Sequence, residues 1–406
     1  MERLVVVGAS VAGLRAVEAA RRGGYSGRIT LVGAEDHLPY DRPSLSKSFL
    51  EAAGPVRPRP LRGERELREE LGVELMLGAQ ADALDTTAKE VAVAGEPVPY
   101  DALVIATGAA PRPLPGAHRV EGVHQLRTVE DALAVRAALD AGARTVVIGA
   151  GFIGSEVASA ARKRGLPVTV VEADELPLTR SVGPEVGAVC AELHREAGTD
   201  LRLNTRVSEV ESRHGRVSGV RLSCGTVLPA ELVVLGTGVA PATGWLAGSG
   251  VSLHPRDGGI VCTATLSAEG ASGVYAAGDV AHVPNAVFHG ELMRTEHWMN
   301  ATEQGAAAGS AAVGARSPAG GMSVPYFWSD WYGRRIQFAG TPHADEVAVV
   351  GASGPGFTAL YRRGDRLVGA LTVERRRQVH TFRKLIMQRA GWAEASALAE
   401  EAATPA

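Results

Sequence analysis

Cysteine is scarce in this sequence and never paired. Cys190, Cys224 and Cys262 stand far apart, with no C-x-x-C or C-x4-C spacing. That usage suits a reducing cytosol and leaves no adjacent dithiol to act as a redox relay. Long apolar runs are missing too: none approaches the ~20 residues of a membrane span. The formal net charge is only -3, which excludes a polybasic footprint for nucleic acid or an anionic membrane surface. The chain passes from Met1-Glu2-Arg3 directly into a strand-like run, so no secretory leader and a cytoplasmic location are expected. The eleven histidines show no metal-ligand spacing, and no metal is expected.

What is present is length and glycine. At 406 residues the chain exceeds a single core and suits two or three domains. Its 49 glycines follow no collagen-like period. Many fall in strand-to-helix turns, where backbone must come close to a ligand.

Two such turns share one order of elements. Leu4-Val5-Val6-Val7 leads into Gly8-Ala9-Ser10-Val11-Ala12-Gly13 and a helical run, then a second apolar run ending at Glu35. Thr145-Val146-Val147-Ile148 leads into Gly149-Ala150-Gly151-Phe152-Ile153-Gly154, a helical run, and an apolar run ending at Glu172. Strand, glycine turn, helix and strand make a βαβ unit of a parallel sheet. The first glycine permits the tight turn, the middle position must be small beside a pyrophosphate, and the last lets helix and strand pack. The helix N-terminus then offers free N–H groups and a positive dipole end to phosphate. Ser10 replaces the middle glycine of the first turn and is still small. Glu35 and Glu172 are placed to accept hydrogen bonds from an adenosine ribose, and a carboxylate repels a 2′-phosphate, so Glu172 argues for NADH over NADPH. Arg162, Lys163 and Arg164 sit at a helix C-terminal end, where cations offset the dipole.

Leu103-Val104-Ile105-Ala106-Thr107-Gly108 and Leu232-Val233-Val234-Leu235-Gly236-Thr237-Gly238 bracket the second unit. Each is a buried-type strand ending in Thr-Gly. Pro111, Pro113 and Pro115 suggest a stiff crossing, so the second domain reads as an insertion in the first. The texture changes after the small-residue stretch 309–321. Segments 325–340, 346–350 and 357–373 look like antiparallel strands with a hairpin turn at Gly364-Asp365. A basic helix at 379–389 follows, and the last dozen residues are expected to fray.

Leu38-Pro39-Tyr40-Asp41-Arg42-Pro43-Ser44-Leu45-Ser46-Lys47, after a Gly-Ala-Ser-x-Ala-Gly turn, resembles the FAD-dependent ferredoxin and rubredoxin reductases of bacterial cytochrome P450 and Rieske oxygenase systems. The resemblance continues through Ala106-Thr107-Gly108, residues 149–156, Gly278-Asp279, Arg294-Thr295-Glu296-His297-Trp298 and Pro325-Tyr326-Phe327-Trp328-Ser329-Asp330. It implies an α/β chain of two Rossmann-like, glutathione-reductase-like domains for FAD and NAD, plus a small α+β C-terminal domain. The corresponding boundaries are 1–110 with 240–320 for FAD, 111–239 for NADH and 321–406 for the last domain.

By resemblance, FAD would be held by Gly8, Ser10, Gly13, Glu35, Arg42, Lys47, Ala81, Ala106, Thr107, Gly108, Arg112, Gly278, Asp279, Glu296, His297 and Trp298. Ala81 stands where the family often has valine beside the adenine. Asp279 matches the acid at the ribityl and phosphate region, and Trp298 the aromatic lying against the ring. NADH would fall to Gly149, Gly151, Phe152, Ile153, Gly154, Glu156, Glu172, Arg180 and Gly238. The sequence departs from the family pattern at Trp331-Tyr332-Gly333, where glutamine frequently precedes the tyrosine.

The chemistry so implied is hydride transfer, which needs positioning and a stabilised reduced ring and no protein acid or base. Lys47, Glu156 and Trp298 are the residues expected to serve it, Lys47 as the cation near flavin N5 and Glu156 as the partner that orients either Lys47 or the nicotinamide carboxamide. Ser44-Leu45-Ser46-Lys47 carries no thiol, so the electrons are expected to leave directly for an outside acceptor, a [2Fe-2S] ferredoxin. Rubredoxin, a quinone, monodehydroascorbate, or a sensor role resembling apoptosis-inducing factor are the alternatives. Arg334, Arg335, Arg362, Arg363, Arg366, Arg375, Arg376 and Arg377 offer a docking face, with Trp328 and Trp331 open to either packing or docking. The chain is expected to be a monomer or weak dimer.

Overall fold

The computed structural model describes all residues except 53, 118–119, 317–321, 352–355 and 402–406. The chain divides into two units, one of Met1–Asp41, Arg59–Ala110 and Ala240–Pro325, the other of Arg42–Pro58, Pro111–Val239 and Tyr326–Ala406. Segment 42–58, which the sequence boundaries put with the first domain, thus packs with the second unit, as do the residues after Pro325.

In the first unit a five-stranded parallel sheet runs in the order Val274–Ala276, Ala102–Ile105, Arg3–Val7, Arg28–Gly33, Val73–Leu77. The central strands are continuous apolar runs because both faces are covered; Leu4, Val6, Leu31, Leu103 and Val104 have no exposure. One cover is the first motif helix, Val11–Arg22, against which Trp298–Ala312 packs closely. Gly305 and Gly309, one turn apart on the latter, lie so near that a Cβ on either would overlap the carbonyl oxygen of Ala12 or Ala16. The small residues opening the 309–321 stretch therefore belong to a helix–helix contact, while 317–321 lie outside the described residues.

The second unit contains a matching parallel sheet in the order Asp200–Arg202, Val168–Val171, Thr145–Ile148, Leu232–Leu235, Val123–His124. Segment 42–58 is tied to it by basic side chains. Arg136 donates to the carbonyls of Phe49 at 3.1 Å and Ala52 at 2.9 Å, Arg164 donates to that of Leu50, and Lys163 pairs with Glu51 at 2.7 Å.

The same unit ends in an antiparallel sheet ordered Tyr326–Trp331, Arg334–Gly340, Arg366–Val373, Thr358–Arg363, Glu346–Val350. Two-residue turns close two of its hairpins. Tyr332-Gly333 has φ of +51° and +79°, the primed geometry that matches strand twist, and Gly364-Asp365 forms the expected hairpin. Helix Gln378–Met387 buries Val379, Phe382, Leu385 and Ile386. The expected fraying of the last dozen residues is corrected for residues 395–401, which belong to helix Trp392–Glu401, held by burial of Ala395 and Ala399; residues 402–406 lie outside the described residues. Among the described residues no helix is long and apolar enough to cross a membrane.

Candidate functional site

The two glycine turns are built alike, each within its own unit. Gly8 and Gly149 follow the central strands with φ of +118° and +103°, which favours glycine. Their N–H groups donate to Val32 and Val171 at 2.8 Å each. A Cβ would overlap Ala106 O at Gly8 and Gly236 O at Gly149. These are the points where each sheet reverses its strand order, at the carboxyl ends of the strands, where open α/β sheets bind ligands. Gly13 and Gly154 close the turns, each with a Cβ position overlapping the carbonyl of its turn's first glycine. Five of the six turn positions are thereby accounted for by packing or by a small side chain.

Gly151 is different. Its backbone, at φ -78° and ψ -177°, is open to any residue, and the nearest atom to an added Cβ is Gly236 O at 3.8 Å. Protein packing gives no reason for glycine there, whereas close approach of a pyrophosphate does.

The helix starts agree. Val11–Arg22, Phe152–Lys163 and Trp298–Ala312 each begin with no side-chain cap and no acid in the first turn. Helix Val129–Asp140, by contrast, has a full capping box from Thr128 and Asp131. Uncapped starts leave N–H donors and a positive dipole end for an anion. In the first unit Gly278 N–H donates to Gln304 at 2.9 Å, Arg294 donates to Asp279 O at 2.9 Å and pairs with Glu296 at 2.6 Å, and the indole N–H of Trp298 is buried without a partner among the described residues. Tyr40 hydroxyl donates to Glu35 at 2.6 Å. Thr107 hydroxyl donates to Ala242 O at 3.0 Å, and Gly108 O accepts from Ala242 N–H. Ala81, in strand Ala81–Asp85, and Ala106 are buried. These residues fit a dinucleotide at each turn.

In the second unit, Glu172 accepts Ala150 N–H at 2.7 Å on one oxygen and Asp174 N–H at 3.0 Å on the other. A carboxylate has about four acceptor sites, so capacity remains for ribose hydroxyls. The three cations at the C-terminal end of helix Phe152–Lys163 are engaged elsewhere. Arg162 donates to Ala197 O and Leu166 O, Lys163 holds Glu51, and Arg164 holds Asp140 at 3.0 Å. Arg180 is largely exposed, 3.9 Å from Asp174. Arg42 donates to Arg127 O, and Arg112 to Val239 O at 3.0 Å while its N–H donates to Gly238 O. Phe152 packs on Phe327 with ring centroids 4.5 Å apart and planes tilted by 59°, and Ile153 is partly exposed.

Lys47 and Glu156 come together as expected, 2.8 Å apart, with Glu156 only 3% exposed. Two residues the motif reading passed over complete the arrangement: Ser46 and Ser329 hydroxyls both donate to Glu156. Both serines lie inside recognisable strings, but nothing in a string says where a hydroxyl points. Of the tryptophans left open, Trp331 has no exposure and its indole donates to Ser329 at 2.7 Å, which places it inside the unit and away from any docking surface.

Beside this lies a buried relay. His194 bonds Tyr332 OH through Nδ1 at 2.7 Å and Ser155 through Nε2 at 3.1 Å. Burial pushes its pKa down to about 4 and, despite a bond with Thr199, pushes Tyr332 up to about 12. His194 is therefore neutral in the fold and charged below about 6.5 when unfolded. Its contribution to stability is complete above that value and is lost as pH falls from 6.5 to 4, about 3 kcal/mol in all. Denaturant unfolding at pH 7.5 and 4.5 should show this loss in the wild type and a smaller one in His194→Gln; identical pH dependence would remove His194 from the account.

His254, Asp257 and His282 place three ligand-type atoms within 4.8 Å of one another. Their carboxylate is already shared, with Arg294 at 2.7 Å, His282 at 2.9 Å and Gly259 N–H at 3.1 Å. Burial opposes its charge, but these donors outweigh that and hold Asp257 well below the usual carboxylate range.

The model of the pyridine nucleotide-disulphide oxidoreductases matches residues 2–305, and that of the reductase C-terminal domain matches 326–404. The chain belongs to the pyridine nucleotide-disulphide oxidoreductase family. This reductase is 36% identical to rhodocoxin reductase of Rhodococcus erythropolis over 388 residues, covering 94% of this chain and 89% of that one. It is 33% identical to apoptosis-inducing factor 3 of Homo sapiens over 91% of its own length, but spans only 60% of that protein. The solved covalent putidaredoxin reductase–putidaredoxin complex superposes with a TM-score of 0.89 at 32% identity, covering 96% of this chain and 93% of the other. The family implies FAD and NAD(P)H. Unlike the family's disulphide-bearing members, this one keeps Cys190 and Cys262 buried as free thiols pushed up to about 12, and its third free cysteine, Cys224, is exposed.

Proposed function

We propose that this chain is an FAD-dependent reductase that takes electrons from NADH and delivers them singly to a [2Fe-2S] ferredoxin serving a cytochrome P450 or an oxygenase. The observation that carries this is the paired nucleotide turns on a chain with no thiol at residues 44–47 and a reductase-type C-terminal domain. FAD, when bound, supplies an electron sink that accepts two electrons as hydride and returns them one at a time. The first turn, with Gly8, Ser10, Gly13, Glu35, Gly278 and Asp279, would hold the flavin nucleotide, and Trp298 would be the aromatic against its ring. Gly149, Gly151, Gly154 and Glu172 hold NADH. Lys47, oriented by Glu156, would supply positive charge to stabilise the negative charge of a reduced flavin ring.

Anaerobic titration with NADH tests the whole reading. One equivalent should bleach the flavin, and subsequent mixing should reduce two molecules of ferredoxin; a colourless protein that cannot be reconstituted with FAD would end the proposal. The rival reading is a redox sensor resembling apoptosis-inducing factor, and the chain is 33% identical to apoptosis-inducing factor 3 over 60% of that protein; the same mixing would reveal a sensor as slow turnover with a long-lived reduced flavin–NAD complex. Glu172 and the engaged cations at 162–164 predict NADH preference; equal or better catalytic efficiency with NADPH would refute it.

The docking face narrows to a few arginines. Arg335 is held by Asp330, Arg362 by Glu346, Arg334 by Glu196, Arg363 by His343 O and Arg375 by Gly356 O, while Arg366, Arg376 and Arg377 are exposed. Steering by these would make ferredoxin reduction slow markedly with added salt. A rate independent of ionic strength would remove this face.

A further inference from the structure

We infer that Ser329 and Trp331, on the first strand of the C-terminal sheet, are positioning residues that set where the Glu156 carboxylate stands and so where the Lys47 ammonium is held. The inference rests on the roles proposed above for Lys47 and Glu156. All four residues belong to one unit.

The direction of each bond can be worked out. An indole N–H donates and has no acceptor to offer, and a serine hydroxyl carries a single proton. Trp331 donates to Ser329 Oγ at 2.7 Å, and Ser329 bonds Glu156 Oε1. With its oxygen taken by the indole, Ser329 has its own proton directed at the carboxylate. Ser46 donates to the other oxygen, Oε2, and Lys47 sits 2.8 Å from Oε1. The carboxylate is thus gripped by donors on both oxygens, and rotation of the carboxylate would break a bond to Ser329 and one to Ser46 together.

The strand supplies these side chains by alternation. Ser329 and Trp331, two apart, lie on one face and neither has any exposure. Asp330, between them, points the other way and forms a bidentate pair with Arg335 at 2.7 and 2.8 Å. The register is pinned just beyond: Tyr332 N–H donates to Ser159 at 2.7 Å, on the helix that carries Glu156, and its hydroxyl meets His194 and Thr199. Tyr332 takes the left-handed conformation, φ +51°, unusual for a bulky residue. Trp331 is also the departure from the family pattern, in which glutamine frequently occupies this position. Glutamine both donates and accepts, and so leaves the serine proton's direction open; tryptophan does not.

Four variants of the holoenzyme test this: Ser329→Ala, Ser329→Thr, Trp331→Phe and, as a control on the opposite face, Asp330→Asn. Expected for Ser329→Ala is a flavin reduction rate at saturating NADH lowered about tenfold. FAD content and NADH affinity should stay within about twofold, and the bound flavin's reduction potential, read by spectroelectrochemistry, should fall as Lys47 loses its fixed place. Ser329→Thr should restore both, and Trp331→Phe should move both the same way while keeping the ring. Crystal structures of the variants should show the Lys47–Glu156 contact lengthened in Ser329→Ala and intact in Ser329→Thr. Unchanged rate and potential in Ser329→Ala and Trp331→Phe would overturn the inference, as would an equal change in Asp330→Asn, which would mean general loosening of the sheet. Should Ser329→Ala fail to fold, Trp331→Phe decides alone. If Lys47→Ala itself reduces normally, the underlying reading has failed; if Lys47→Ala is slow while the serine and tryptophan variants are normal, only the positioning has.

Discussion

Gly151→Val should fold, retain FAD and lose NADH. The backbone at Gly151 is ordinary extended chain and, chain neighbours aside, the nearest atom to a new Cβ is Gly236 O at 3.8 Å, so a side chain can begin there without overlap at its Cβ. It would project into the space before the uncapped start of helix Phe152–Lys163, where a pyrophosphate has to approach the backbone. Weakening of NADH binding by about 100-fold is expected, some 2.7 kcal/mol, with an unchanged flavin spectrum and unfolding midpoint. Gly154→Val is the informative contrast. Its Cβ would overlap the Gly149 carbonyl and press on Val147 at 3.0 Å, so that variant should lose stability itself, by the few kcal/mol that overpacked cores lose. Calorimetric titration with NADH and thermal unfolding of both variants separate the two glycines. Normal NADH affinity in Gly151→Val would mean that no dinucleotide occupies this turn.

The second large effect concerns the buried pair. Lys47→Ala should slow flavin reduction by roughly 100-fold, on the order of 3 kcal/mol of preorganised electrostatics, while FAD retention changes little. A surface pair would be worth under about 1 kcal/mol; here Glu156 is almost fully enclosed and receives two hydroxyls besides the ammonium. Glu156→Gln should be slow too, because Lys47 loses its partner. The double variant should be little worse than Lys47→Ala alone, since residues acting as one unit are not additive. Rapid mixing with NADH under anaerobic conditions measures all three. A normal reduction rate in Lys47→Ala would exclude the role.

Much of the architecture could be read directly from residue order. Both βαβ units announce themselves because a fully covered parallel strand must be an apolar run, and because a tight turn at a strand's carboxyl end needs glycine where φ is positive, as at Gly8 and Gly149. The hairpin at Gly364-Asp365 and the pairing of Lys47 with Glu156 were legible as well, the first from turn chemistry and the second from family resemblance. Local pattern carries these features because their causes are local, or because a motif string records them.

Tertiary structure alone decided the rest. Which glycines serve packing and which leave space for a ligand depends on atoms far along the chain: Gly236 opposite Gly149, Ala12 opposite Gly305. The attachment of segment 42–58 to the second unit depends on Arg136, Lys163 and Arg164, cations whose reach no periodicity describes. Helix Trp392–Glu401 forms where composition suggested fraying, because two alanines find cover, and tertiary burial outweighs intrinsic propensity in most short helices. Ser329 and Trp331 reach Glu156 across more than a hundred and seventy residues of chain, Ser329 directly at a separation of 173. A hydroxyl's partner is set by three-dimensional proximity and donor direction, and neither is written in the order of residues.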